Sequence, residues 1–124
     1  MAARRVDVER PLKRSEHRIQ FATREAEKGW QDLLATARNA TVDAWDFLTR
    51  TPTLEGGRCY RLQGSLGVVI VDGQAHERWQ YKPTSGGRIW YAVVAAGKTE
   101  KLAGYVMLER VEPGHPNQTV KQHR

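Results

Sequence analysis

Residues 110–119 read RVEPGHPNQT, which places His115 between a glycine and a proline straight after an apolar run, YVMLERV. Histidine changes charge near neutrality and can both take and give a proton. Strands commonly give way to turns at such Gly-Pro punctuation, so His115 belongs to a corner. Upstream, HERWQYK and GGRIWYAVV carry Arg78, Lys82 and Arg88. Strand alternation places His76, Arg78, Gln80 and Lys82 on one face, and Glu77, Trp79 and Tyr81 on the other. If Trp79 packs inward, the cations project onto an open concave surface. Arg88 reaches that surface from the next strand, and His115 closes it from the corner. A histidine can move protons and planar guanidinium donors can hold a phosphate, which is the chemistry these residue types allow. The competing readings are structural: His115 as a solvated turn residue, Arg88 paired with Glu77 or Glu109, and His76 and Tyr81 as framework. Cys59 and Trp30 read as core.

These residues must be held by elements whose periods differ between the two halves of the chain. HRIQFAT, 17–23, alternates Ile19 and Phe21 with polar neighbours and predicts a short strand. Thr23 can cap a helix whose first turn holds Glu25 and Glu27, where negative charge favours the helix dipole. Ala26, Trp30, Leu33, Leu34 and Ala37 then follow helical spacing. Asn39 to Thr41 interrupt it and open a second helix with Val42, Trp45 and Leu48 inward, stopped by Thr51-Pro52. Trp30, Leu33, Leu34, Trp45 and Leu48 are the expected core, with Leu62, Val69, Trp90 and Val106 as partners. After Gly56-Gly57 the period becomes that of strands: RCYRLQG, LGVVIV, HERWQYK, RIWYAVV and LAGYVMLERV. Asp72-Gly73 is a tight-turn signal, with looser ones at 84–87 and 96–97. The fold class is α+β: an N-terminal short strand and a helical hairpin packed on a twisted antiparallel sheet.

The 124 residues suffice for one domain, with 40% hydrophobic and 27% charged residues, ordinary for a soluble globular protein. The sequence divides into a flexible basic arm at 1–16, a single domain at 17–119 and a basic tail at 120–124. The net charge of +6 sits mainly at the ends, since residues 19–113 carry only +1. A polyanion would therefore be bound by a local patch, for which Arg58, Arg61, Arg78, Lys82 and Arg88 against Asp72 and Glu77 are the candidates. The lone Cys59 allows no disulfide framework or cysteine-based metal site within one chain. No apolar run approaches the roughly 20 residues needed to cross a bilayer, and no apolar stretch succeeds the basic N-terminus as in a secretory signal. A cytoplasmic protein without membrane association is expected.

The same segments carry a resemblance. AEKGWQDLLATARNATVDAWDFLTRTP is similar to the paired helices of the RelE/ParE superfamily of bacterial toxins, which end in a short Asn/Thr-Pro stop. RCYRLQG resembles that family's Arg-x-Leu-x-Gly strand. GGRIWYAVV resembles its Gly-x-Arg-Val-Ile-Tyr strand, with Arg88 at the family's arginine and Tyr91 at its tyrosine. The resemblance covers residues 17–119. Two features depart from it: a longer loop between LGVVIV and GGRIWYAVV, which makes room for an extra strand, and fewer cations in HERWQYK. The RelE-like branch implies the toxin of a toxin–antitoxin pair, a metal-independent endoribonuclease acting on mRNA at the ribosome. There RNA is cut by its own 2′-hydroxyl, so His115 would transfer protons, Arg88 and Arg78 would stabilise the phosphate, and Lys82 and Tyr91 would assist. The implied partners are a cognate antitoxin and mRNA on the ribosome, with no cofactor and no metal. The same resemblance leaves two alternatives: a ParE-like toxin that inhibits gyrase, or a non-catalytic binding protein of this fold.

Overall fold

The computed structural model describes residues 4–114. His115 and the tail therefore lie outside the described residues. The elements run β1 (His17–Phe21), α1 (Arg24–Thr36), α2 (Arg38–Arg50), β2 (Cys59–Arg61), a 3-10 turn (Gly64–Gly67), β3 (Val68–Val71), β4 (Gln74–Glu77), β5 (Trp79–Tyr81), β6 (Arg88–Ala95) and β7 (Gly104–Glu112). This is the expected α+β class, two helices on a sheet, with changes of detail that arise from local hydrogen bonding.

Thr23 caps α1, its hydroxyl accepting from the Ala26 amide at 3.0 Å while donating to the Glu109 carbonyl of β7 at 2.8 Å. The helix start is thus tied to the sheet as well as capped. The break between helices falls at Ala37 alone, earlier than the expected interruption at 39–41. Ala37 leaves helical geometry (φ −150°, ψ 62°) and serves both helices as their end residue. Thr51 ends α2 as expected.

Five strands form one sheet in the order β1-β7-β6-β5-β2. All neighbours are antiparallel except β1, which pairs parallel with β7, Ile19 opposite Val106. The sheet is therefore mixed rather than purely antiparallel. β3 and β4 form a separate hairpin around Asp72 (φ 50°) and Gly73 (φ 80°), the tight turn expected there. The long stretch between LGVVIV and GGRIWYAVV thus holds two strands: β4, which pairs with β3 in the hairpin, and β5, which joins the main sheet between β2 and β6.

HERWQYK does not run as one strand, and the cause is Arg78. Its amide bonds to Gly67 O and its carbonyl accepts from Leu62 N, both at 3.0 Å. These bonds go to the 62–67 segment and interrupt the chain between β4 and β5. His76 therefore sits on the hairpin, lining a cleft with Thr53, Trp79 and Val93, and does not share a face with Arg78 as alternation suggested.

Between helices and sheet lie Ala26, Leu33, Ala44, Leu48, Cys59, Trp79, Tyr81, Ile89, Tyr91, Val106, Leu108 and Val111, all buried. Trp30, Leu34 and Trp45 are half-buried at the rim rather than fully enclosed. Phe47 of α2 stacks on Tyr81 of β5, with centroids 4.8 Å apart. Trp90 does not join this core, because it lies on the opposite face of β6. The helix layer sits so close to β7 that a Cβ on Gly29 would fall 1.8 Å from the Val111 carbonyl oxygen.

The stretch expected as a flexible arm is tied to the body from Arg10 onward. Arg10 forks onto the buried Glu16 carboxylate at 3.1 and 2.6 Å, the Lys13 amide donates to it at 2.8 Å, and Arg50 approaches at 3.8 Å. The Arg10 hydrogen bond, then the Lys13 amide, holds the Glu16 carboxyl down at about 2.

Two stability measurements test this packing. Replacing a helical glycine by alanine ordinarily stabilises by about 1 kcal/mol, but Gly29→Ala should destabilise by about 1–3 kcal/mol through overpacking. Urea unfolding beside the exposed-face control Gln31→Ala checks this, and a stabilised Gly29→Ala would contradict the close approach. For Glu16, the depressed carboxyl contributes stability that is present above its ordinary value near 4.5 and lost as pH falls toward 2. The gap in urea midpoint between the wild type and Glu16→Gln should therefore be widest near neutrality and close across that window.

Candidate functional site

The face of the sheet turned away from the helices is built by alternation. Trp79, Tyr81, Ile89 and Tyr91 point into the core, so Tyr60, Gln80 and Trp90 point outward. Register aligns them: Tyr60 is opposite Gln80, Gln80 opposite Trp90, and Trp90 opposite Arg110. One row thus crosses β2, β5, β6 and β7. Trp90 Nε1 donates to Gln80 Oε1 and Gln80 Nε2 donates to the Tyr60 hydroxyl, both at 2.6 Å. Gln80 is buried between the two aromatic residues, while Tyr60 and Trp90 stay partly exposed.

A second row lies two residues along the strands. Arg88 is opposite Glu112, and continuing the β5–β6 register by one residue brings Lys82 beside Arg88. The Lys82 ammonium is 5.9 Å from the Tyr60 ring centroid. Arg88 and Arg110 share one carboxylate, Glu112, at 3.7 and 3.5 Å, and both side chains are about half exposed. At these distances the pairs are weak and leave most guanidinium donors to solvent.

Arg78 is placed differently. Its Nε and Nη2 donate to Glu109 at 2.8 and 2.7 Å, and its Nη1 donates to the Leu66 carbonyl at 3.1 Å. Glu109 is the extra residue where β7 bulges between Arg110, opposite Trp90, and Leu108, opposite Tyr91. The guanidinium carbons of Arg78 and Arg110 lie 5.2 and 5.3 Å from the Trp90 ring centroid. Arg78 is therefore held against β7 and the 62–67 segment through three of its guanidinium N–H groups, unlike the open cation expected at this position.

Tyr91 is likewise corrected. It is fully buried, its hydroxyl donating to the Pro52 carbonyl at 2.6 Å and touching Cys59 Sγ at 3.2 Å. Burial, then the contact with Cys59, pushes its phenol far above the ordinary value. Arg88 and Tyr91 have opposite parity on one strand, so alternation alone separates them. The Arg88 ion pair is with Glu112 rather than Glu77 or Glu109. Arg110, Trp90 and Tyr60 were not among the sequence candidates, although Trp90 shares parity with Arg88, and Tyr60 is the outward residue of RCYRLQG.

His115 lies outside the described residues, but its predecessor is fixed. Gly114 adopts φ +82°, and a Cβ there would fall 2.9 Å from the Gly86 carbonyl carbon. The corner after β7 is thus packed against Gly86-Gly87, immediately before Arg88. Beside it, a cleft of about 470 Å³ is lined by Lys28, Gly86, Arg88, Glu112 and Gly114 among others. The hairpin overhangs a different part of the outer face, where Val69 to Asp72 line a cleft of about 410 Å³ with Ala92, Met107 and Glu109. Among the described residues, no group of three or more His, Cys, Asp or Glu is arranged to hold a metal ion, and no helix is long and apolar enough to cross a membrane.

No protein-family model and no curated protein sequence matches the chain. Its fold is similar to the solved structure of a YoeB/ParE toxin from Agrobacterium tumefaciens, with a TM-score of 0.54 at 17% sequence identity. The match covers 79% of this chain and 98% of that one.

The placement of Tyr91 has a measurable consequence. Tyr91→Phe leaves the buried Pro52 carbonyl without its phenolic donor, at a cost of about 1–3 kcal/mol. Chemical denaturation should show that loss, with circular dichroism of the folded protein unchanged.

Proposed function

We propose that this chain is the toxin of a toxin–antitoxin pair and cleaves mRNA on the ribosome without a metal. The observation that carries the proposal is the pairing of an exposed, loosely held Arg88 with a corner that fixes Gly114 against Gly86-Gly87. His115 continues the chain from that corner. The fold likeness to a YoeB/ParE toxin supports the same reading.

In the proposed reaction the 2′-oxygen of RNA attacks the adjacent phosphorus and the bond to the 5′-oxygen breaks. The 2′-hydroxyl proton is taken up and the leaving oxygen receives one, with His115 in this proton transfer. Arg88 donates to the phosphate as negative charge builds on it, and Lys82 supports it from the same row. Arg78 holds the platform instead of touching substrate. A body of net +1 grips free RNA poorly, which fits a substrate presented by the ribosome.

The partner is a small acidic antitoxin that covers the cationic face and the helical hairpin. Between α1 and α2, Trp30, Leu34, Thr41, Val42 and Trp45 line an apolar groove of about 240 Å³ that would take part in that contact.

Expression in a bacterial host should arrest growth, with cleavage of translated mRNA that survives EDTA. Loss of a proton-transfer group typically costs about 10²–10⁴-fold in rate, and loss of a key charge stabiliser about 10²–10³-fold. His115→Ala and Arg88→Ala should therefore each relieve the arrest with circular dichroism unchanged. If both variants remain fully toxic, the proposed site is wrong. Arrest with intact mRNA and damaged DNA would favour the gyrase-inhibiting alternative.

A further inference from the structure

The proposed cleavage concerns one phosphate, and the aromatic row beside it has a separate consequence. Tyr60, Gln80, Trp90 and Arg110 lie in register across four strands. Three strand spacings make the row about 14 Å wide, and the cationic row runs about 7 Å away along the strands. A tryptophan and a tyrosine on the outer face of a sheet are unusual in being locked: Gln80 is buried, and both its amide atoms are used to fix the ring edges. The bonds engage the polar edges of the rings; both residues remain partly exposed, with the guanidinium groups of Arg78 and Arg110 over the Trp90 ring and the Lys82 ammonium over Tyr60. Cations stand at both ends of the row, Lys82 near Tyr60 and Arg110 near Trp90.

We infer that this row is a base-stacking platform for single-stranded RNA, on which Trp90 and Tyr60 receive unpaired bases while Arg110 and the adjacent cationic row track the backbone. The inference rests on the reading of this face as an RNA-cleaving surface and identifies what orients the strand there. Aromatic faces stack any unpaired base, whereas a duplex keeps its bases inside. Trp90 and Tyr60 are rigid before binding, so little ordering cost is incurred when a base arrives. Gln80 is a positioning residue: it is buried with both amide atoms bonded to the ring edges and acts through the two rings. Arg110 differs from Arg78, because among the described residues its only ion pair is the 3.5 Å contact with Glu112, which a phosphate can replace.

The test compares two probes at low ionic strength, a single-stranded RNA pentanucleotide and an abasic pentanucleotide with the same number of phosphates. Binding is read by intrinsic tryptophan fluorescence and by shifts of the indole NMR signals. Wild type should prefer the base-bearing probe by about tenfold or more, the scale of one base stacked on an aromatic ring. Trp90→Ala should abolish that preference, whereas Trp90→Phe, which keeps a stacking face, should retain most of it. Arg110→Ala should weaken both probes alike and lower the salt slope by about one. Equal binding of the two probes to wild type, no binding of either, or a preference that survives Trp90→Ala would overturn the platform. Growth arrest with mRNA cleavage in the same variants is scored separately. Persistent cleavage in a variant without the preference would leave the nuclease reading standing and place strand orientation elsewhere, whereas arrest without cleavage in wild type would remove the nuclease reading itself.

Discussion

Glu109 is the extra residue of the β7 bulge, and its two ends hold different parts of the molecule. The carboxylate forks onto Arg78, and the backbone carbonyl accepts the hydroxyl of Thr23 at the start of α1. Through Arg78 the same residue reaches Leu66 and, by backbone bonds, the 62–67 segment. Both the interruption of the β4–β5 run and the seating of the first helix thus converge on one side chain and one carbonyl. A bulge also redirects the side chains next to it: Glu109 and Arg110 both serve the outer face before Val111 returns to the core.

The cations of this face divide by how many donors they have already committed. Arg58 is bound to the Lys82 and Pro83 carbonyls, and Arg78 to Glu109 and Leu66. These are bonds within the fold. Arg88 and Arg110 compete for one distant carboxylate and keep planar donors facing water. A count of basic residues treats the four alike, although only the second pair can exchange its partner for a phosphate without disturbing the backbone.

Much of this was legible in the residues. The change of period at Gly56-Gly57, the cap at Thr23, the stop at Thr51-Pro52 and the turn at Asp72-Gly73 all specify local geometry, and each element stands as expected. Alternation also put Trp79 and Tyr81 inward and Gln80 outward. What was not legible depends on contacts distant in sequence. The parallel pairing of β1 with β7 is set by packing, because a five-residue alternation does not encode strand direction. The break at Arg78 arises from hydrogen bonds to residues 11 and 16 positions earlier. Trp90 was assigned to the core on its apolar character, and only the buried state of Ile89 and Tyr91 on either side reverses that. Assigning Tyr91 to the site let the resemblance override parity.

The middle of the sheet has a consequence in time. β7 lies between β1 and β6, so among the described strands the last in sequence joins the first to the rest of the main sheet. While residues 104–112 are still inside the ribosome, β1 has no partner, Gly29 has no carbonyl to pack against, and Arg78 has no counter-ion. Pairing of such high sequence separation is also slow to form. A nascent chain of this protein therefore has neither a completed core nor a completed outer face until translation has passed Glu112.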